Sequence, residues 1–371
     1  MIYFLVNNSY QLYDARIHLN AFKLSGFRVG LLEVPHSLEN PDHAGFDITY
    51  LFKPFQYVNF IHCWLNALSL SRVLDKEIAP SKDDVLFLYT EYEPFNQLIA
   101  ARFKKSGARV YLIEDGGFAT YVPFHSALSE PLTIKERVRE IISRACPGIS
   151  ILRFHKMNGI VFPWMNDALL DGVCLYRPVK IARKIDSILI KRPVTATRNS
   201  IQDTVVFLNE SIYDHYQTPE KYLSGLHLMM RSLCDGFTVV YFKFHPRETD
   251  DWRQKIQQEV LSRYPKLIII KENAGIEGLI EQYQPEVVAS YFSAALLNLQ
   301  EKGVEPLYLY HLIVELRDQP VYKIVTSILK DWGYRFPSDF SGVHSGYKSG
   351  LAFDELNQGG INLLELVRGY A

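Results

Sequence analysis

Short apolar runs recur along this chain, each followed by a longer helix-compatible segment, in two consecutive series. That alternation constrains the fold more than any other feature. Strands separated by helical crossovers build parallel sheets with helices on their faces. In the first series the predicted strands are Ile2–Val6, Arg28–Glu33, Val85–Tyr89, Arg109–Ile113 and Gly159–Phe162, with helices over Asn59–Leu74 and Phe95–Lys105. The second restarts at Thr204–Leu208 and continues through Thr238–Phe242, Leu267–Lys271, Glu286–Ser290 and Pro306–Tyr310. Its predicted helices are Pro219–Cys234, Trp252–Tyr264, Ile276–Gln282 and Ser293–Lys302. The expectation is an α/β protein of two doubly wound domains facing across a cleft. They cover residues 1–190 and 191–371, with the last helix able to pack back on the first domain. The join, Arg177 to Asp203, holds Pro178, Pro193 and the polar string Thr195–Ser200, a composition suited to a linker.

Size and composition agree with two cores. The chain has 371 residues, 48% of them hydrophobic and 13% aromatic, which excludes a disordered chain. A net charge of -1 argues against a basic nucleic-acid binder. Four scattered cysteines, Cys63, Cys146, Cys174 and Cys234, have no CxxC spacing and read as reduced core thiols. No apolar run reaches the roughly 18 residues of a membrane span, and MIYFLVNN reads as a first strand, so the expected location is the cytoplasm.

Open parallel sheets bind ligands at the carboxyl ends of their strands, and the chemistry-bearing residues of this chain sit at such ends. The strand at Val110–Ile113 runs into Glu114-Asp115-Gly116-Gly117. A carboxylate there can take a proton from an attacking hydroxyl, and the glycines allow a sharp turn and close substrate approach. The same string also suits a plain β-turn. The strand at Thr238–Phe242 runs into Lys243-Phe244-His245-Pro246-Arg247. Pro246 restricts the backbone of His245, whose imidazole can stabilise charge on a departing phosphate or simply bond a carbonyl. Ser290 and Ser293 follow the strand at Glu286–Ser290, where a hydroxyl can meet an anion or only cap a helix. Glu277, in a first helical turn, can accept bonds from ribose hydroxyls or complement the helix dipole.

The order of these features resembles bacterial sialyltransferases and polysialyltransferases, which share acidic-acidic-Gly, His-Pro and Ser-Ser/Thr motifs. Related patterns occur in transferases for Kdo and other nonulosonic acids. The match runs from Glu114 to Ser293, although Ser293-Ala294 stands where the family has a hydroxyl doublet. The resemblance implies a GT-B fold of two Rossmann-like domains and an inverting transfer of sialic acid, or a related acid such as Kdo, from a CMP donor to a bacterial surface glycan of lipopolysaccharide or capsule type. It implies a general base in Glu114-Asp115-Gly116, with Asp115 preferred and Glu114 left open. His245 with Pro246, and a hydroxyl of Ser293 or Ser290, would bind the CMP phosphate. Gly116 would allow close approach, and Glu277 would hold the ribose.

No Asp-x-Asp triplet occurs, and a monophosphate leaving group needs less charge neutralisation than a diphosphate, so no metal or other cofactor is expected. The alternatives are a GT-B transferase using a nucleoside-diphosphate sugar and a non-catalytic nucleotide- or glycan-binding protein. The expected partners are the CMP-sugar acid and an oligosaccharide or lipid-linked glycan. The segments Lys135–Lys156 and Arg177–Arg198 are rich in Lys and Arg. They form either a solvated face or a peripheral contact with anionic lipid at the inner membrane.

Overall fold

The structure is a computed structural model that describes residues 1–37, 43–52, 72–91, 93–115, 131–144, 153–157, 160–179, 184–192, 200–213, 218–271, 275–299, 302–343, 356 and 359–369. The chain divides into two compact units. The first comprises the chain to Asp115, Ala119–Pro193 and Asn357–Ala371; the second contains Val194–Leu356.

The first unit is built on seven strands: β1 (Ile2–Asn8), β2 (Val29–Ser37), β3 (Ile48–Leu51), β4 (Val85–Leu88), β5 (Arg109–Ile113), β8 (Gly172–Leu175) and β9 (Ser187–Leu189). They form one sheet in the order β3-β2-β1-β4-β5-β8-β9, parallel throughout. Strands buried on both faces must be apolar along their length. IYFLV of β1 and VLFL of β4 meet that demand, every residue of each being buried. One face carries a row of rings: Phe4 pairs with Phe87 in register and stacks on it at 5.4 Å, and Phe87 pairs with and stacks on Tyr111 at 5.7 Å.

Helix α1 (Ser9–Leu24) starts where the Asn8 side chain accepts from the Gln11 N–H, and sets Leu12, Ala15, Leu19 and Phe22 into the core. It stops at Gly26, whose φ of 81° lies in the left-handed region. Helix α2 (Pro94–Lys105) follows β4. Helix α3 (Ile134–Arg144) precedes an antiparallel hairpin of β6 (Arg153–Met157) and β7 (Ile160–Trp164).

The second unit holds β10 (Ile201–Leu208), β11 (Val239–Lys243), β12 (Leu267–Ile270), β13 (Pro285–Ser290) and β14 (Glu305–Tyr308), parallel and ordered β12-β11-β10-β13-β14. Its helices include α4 (Pro219–Gly236), α5 (Asp250–Glu259), α6 (Ile276–Tyr283) and α7 (Pro320–Asp331). α4 has the Thr218 side chain as N-cap and a proline in its first turn. A last helix, α8 (Leu363–Arg368), returns to the first unit. Leu363, Leu366 and Val367 join the core around Phe4 and Ile190, and Ile190 bridges Ile361 in parallel.

Several expectations change. The run at Gly159–Phe162 is the hairpin strand β7, outside the main sheet, and the place beside β5 goes to β8. The expected linker is shorter, because β9 and Ile190 lie inside it and are tied to the first unit. Within it Arg177 is fully buried and Arg192 is turned onto Asp14, so these two cations are internal, not surface charge. The helix expected over Ser293–Lys302 is a 3₁₀ turn, Ala294–Asn298. Of the helix expected over Asn59–Leu74, residues 59–71 lie outside the described residues, and Leu74 opens a five-residue π-helical turn. Cys174 and Cys234 are buried free thiols; Cys63 and Cys146 lie outside the described residues. Among the described residues, no helix is long and apolar enough to cross a membrane.

Candidate active site

In each sheet the strand order reverses between two neighbours, β1 and β4 in the first unit and β10 and β13 in the second. The carboxyl ends of such strands are where open α/β sheets take ligands.

In the first unit the acidic pair leaves β5. Glu114 is wholly buried; Oε2 accepts from the Tyr176 N–H at 2.7 Å and Oε1 from Arg177 Nη1 at 2.8 Å. Arg177 is equally buried, so this is an ion pair removed from water that ties β5 to the chain beyond β8. Asp115, one residue on, is only half-buried. Successive side chains at a strand end point apart, and here they divide into one enclosed carboxylate and one with access. Gly116 and Gly117 lie outside the described residues.

Near the same edge lies a second polar cluster. Asp14 of α1, with no exposed surface, accepts from Tyr89 Oη at 2.9 Å, Tyr176 Oη at 2.8 Å and Arg192 Nε at 3.0 Å. The Arg192 guanidinium lies 3.9 Å from the Tyr176 ring centroid and also bonds Tyr10. His18 Nε2 meets Tyr176 Oη at 2.9 Å; burial lowers the His18 pKa to about 4, so the ring is neutral. Burial first, then the Asp14 charge, pushes Tyr89 and Tyr176 up and keeps both as donors.

In the second unit the His-Pro turn follows β11. His245 Nδ1 accepts the backbone N–H of Arg247 at 3.1 Å. In the neutral ring that assigns the proton to Nε2, making Nε2–H the available donor. Burial, and then the Arg247 charge, lowers the His245 pKa, which favours this neutral form. The turn is braced by Glu248: Oε2 accepts from the His245 N–H at 2.8 Å, and the Glu248 N–H donates to the His245 carbonyl at 3.0 Å. Glu248 Oε1 in turn takes a 2.5 Å bond from Asn209, whose amide also meets Tyr222 Oη. Pro246, between these partners, is exposed, as the row of β11 gives way to the turn.

Ser290, at the end of β13, is buried and structural. Its hydroxyl lies 2.8 Å from the Leu208 carbonyl and 2.9 Å from Glu210 Oε1, joining the ends of β10 and β13. Glu210 Oε1 also accepts from the Phe292 N–H at 3.1 Å. Burial of its carboxyl raises the Glu210 pKa to about 7 against the opposing pull of these two bonds; burial does the same to Glu248, also about 7. Ser293 is half-buried and stands before the 3₁₀ turn without a side-chain capping bond. The turn has five residues, too short to present a helix N-terminus to an anion. Glu277 falls in the first turn of α6, and its side chain lies outside what the structure describes.

The second-unit residues therefore fall at the ends of three adjacent strands: His245 after β11, Glu210 after β10, Ser290 closing β13 and Ser293 just beyond it. Asn209, Glu210 and Glu248 escaped the motif reading. Their signal was present: Asn209-Glu210 ends a buried strand as Glu114-Asp115 does, and Glu248 lies three residues beyond His245.

Two parallel-sheet units of this kind match the GT-B architecture, and solved structures of that architecture align along the chain. MurG of Acinetobacter baumannii aligns over 99% of both chains with a TM-score of 0.50 at 9% identity. S. aureus MnaA in complex with UDP covers 100% of this chain and 96% of its own at 0.50 and 9%. A variant of the wall teichoic acid polymerase TagF covers 100% and 86% at 0.52 and 8%. These likenesses are of fold. The sequence profile of the alpha-2,8-polysialyltransferase (POLYST) family matches residues 36–301, and the chain belongs to that family. No curated protein matches the sequence.

Proposed function

We propose that this glycosyltransferase moves sialic acid, or a related nonulosonic acid such as Kdo, from a CMP donor to a bacterial surface glycan, with inversion and without a metal. The observation that carries the reading is the His245 turn, where Nδ1 is occupied by Arg247 N–H and Nε2–H is left as a donor. One directed N–H on a braced turn suits the single phosphate of CMP. Family membership supports the sialic acid class of donor.

In the proposed step Asp115 takes the proton of the acceptor hydroxyl, whose oxygen attacks the anomeric carbon. The bond from that carbon to the phosphate oxygen breaks, and CMP leaves with the electron pair. His245 Nε2–H steadies the charge arriving on the phosphate, Ser293 adds a hydroxyl donor, and Glu277 accepts from the ribose. Glu114 and Ser290 position the two strand ends, since both are enclosed and already bonded.

Thermal shift with nucleotides tests this. CMP should raise the melting temperature, and His245→Ala should remove most of that rise. Stabilisation by UDP and not by CMP would assign the donor to the nucleoside-diphosphate class instead.

A further inference from the structure

Helix α3 is turned inside out. Ile134, Val138 and Ile141 are 84%, 48% and 64% exposed, while Glu136 and Glu140 are half-buried. The acidic side is engaged with the protein: Glu136 pairs with Lys156 of β6 at 3.2 Å and accepts from the Thr133 N–H at 2.7 Å. At about 100° per residue the three apolar side chains fall within an arc of about 60°. Lys135 and Arg137, both exposed, flank that arc on either side, and the two glutamates lie opposite. A helix that turns half-buried carboxylates toward its own fold and presents an apolar arc rimmed by cations has the layout of an interfacial helix.

We infer that α3 docks this protein on an anionic lipid surface, with Ile134, Val138 and Ile141 in the boundary between headgroups and acyl chains and with Lys135 and Arg137 at the level of the lipid phosphates. Charge selects this occupant over a second copy of the chain. A two-fold contact through the same face would set Lys135 and Arg137 against their own copies. Three side chains also fall far short of the roughly 800 Å² per partner of a stable protein interface. The inference is independent of the donor reading, because vesicle binding requires no sugar nucleotide.

Co-sedimentation of the full chain with vesicles tests it. Phosphatidylcholine vesicles containing phosphatidylglycerol should retain the protein at low salt and hold it less at high salt, and pure phosphatidylcholine should retain little. The double substitution Ile134→Ser and Ile141→Ser should weaken retention about tenfold or more, with an unchanged melting temperature because both side chains are exposed. Lys135→Gln with Arg137→Gln should lower retention chiefly at low salt. Lys184→Gln, exposed but outside α3, should leave retention unaltered. Equal retention by neutral and anionic vesicles, or by the protein with and without the two serines, overturns the inference. So does release by Lys184→Gln as large as that from the α3 changes. A dimer in solution that the serines abolish, without vesicle binding, would give the face to a second copy.

Discussion

Glu114 is wholly buried and its neighbour Asp115 half-buried, and the difference predicts different phenotypes. Glu114→Ala strips the buried Arg177 guanidinium of its carboxylate, a loss of about 3–5 kcal/mol of stability that a denaturant melt will register. Asp115→Ala should leave the melt nearly unchanged and lower the transfer rate about 10²–10⁴-fold. A stable, inactive Glu114 variant beside an active Asp115 variant would exchange their roles. At Glu210 the effect is one of pH. Its folded-state pKa, about 7, lies above the ordinary glutamate range, so the folded protein holds a proton that the unfolded chain has already released. Stability is then greatest below the ordinary value and falls as pH rises to about 7, by up to about 3 kcal/mol, and levels off above that. The difference in melting temperature between the protein and its Glu210→Gln variant, followed from about pH 5 to about pH 8, should show this decline, because the share of Glu248 and the opposite contribution of neutral His18 are common to both.

Among the elements, β1 and β2 approach closely at Gly30. A Cβ there would lie 2.7 Å from Cδ1 of Tyr3, and that ring is buried and set edge-on to Phe103 at 5.1 Å. Gly30→Ala should therefore cost about 1–3 kcal/mol, read as a lower melting temperature; an unaltered melt would mean that the ring can retreat. The elements most legible in the sequence are the long buried ones. β5 matches its predicted bounds and β13 lies within one residue of them, because strands buried along nearly their whole length leave little polar signal to blur the run; β10 starts three residues earlier than predicted, where it is exposed, and half-buried β11 is offset by one. β8 and β9 escaped because β8 opens on Gly172, which weakens a strand signal, and β9 has only three residues, none of them fully buried. The candidate site was legible as to position, in that Asp115 and His245 each follow closely on a strand. It was not legible at Ser290, where only the fold reveals that the hydroxyl is spent on Leu208 and Glu210. The basic count over the linker misled for a related reason: Arg177 and Arg192 find buried carboxylates contributed by β5 and α1.

At the scale of the molecule, the proposed chemistry expects transfer to proceed undiminished in EDTA, since one departing phosphate is met by an imidazole N–H and a hydroxyl. A strict requirement for added magnesium or manganese would favour the diphosphate-sugar alternative. The assignment of α8 to the first unit has a bearing on biosynthesis. A ribosome delivers the strands of the first sheet early, but Ile361, Leu363, Leu366 and Val367 emerge only after the whole second unit has been made. Until then the nascent first unit lacks the apolar cover that these side chains supply around Ile190. Its folding becomes final only when the segment from Asn357 onward clears the exit tunnel.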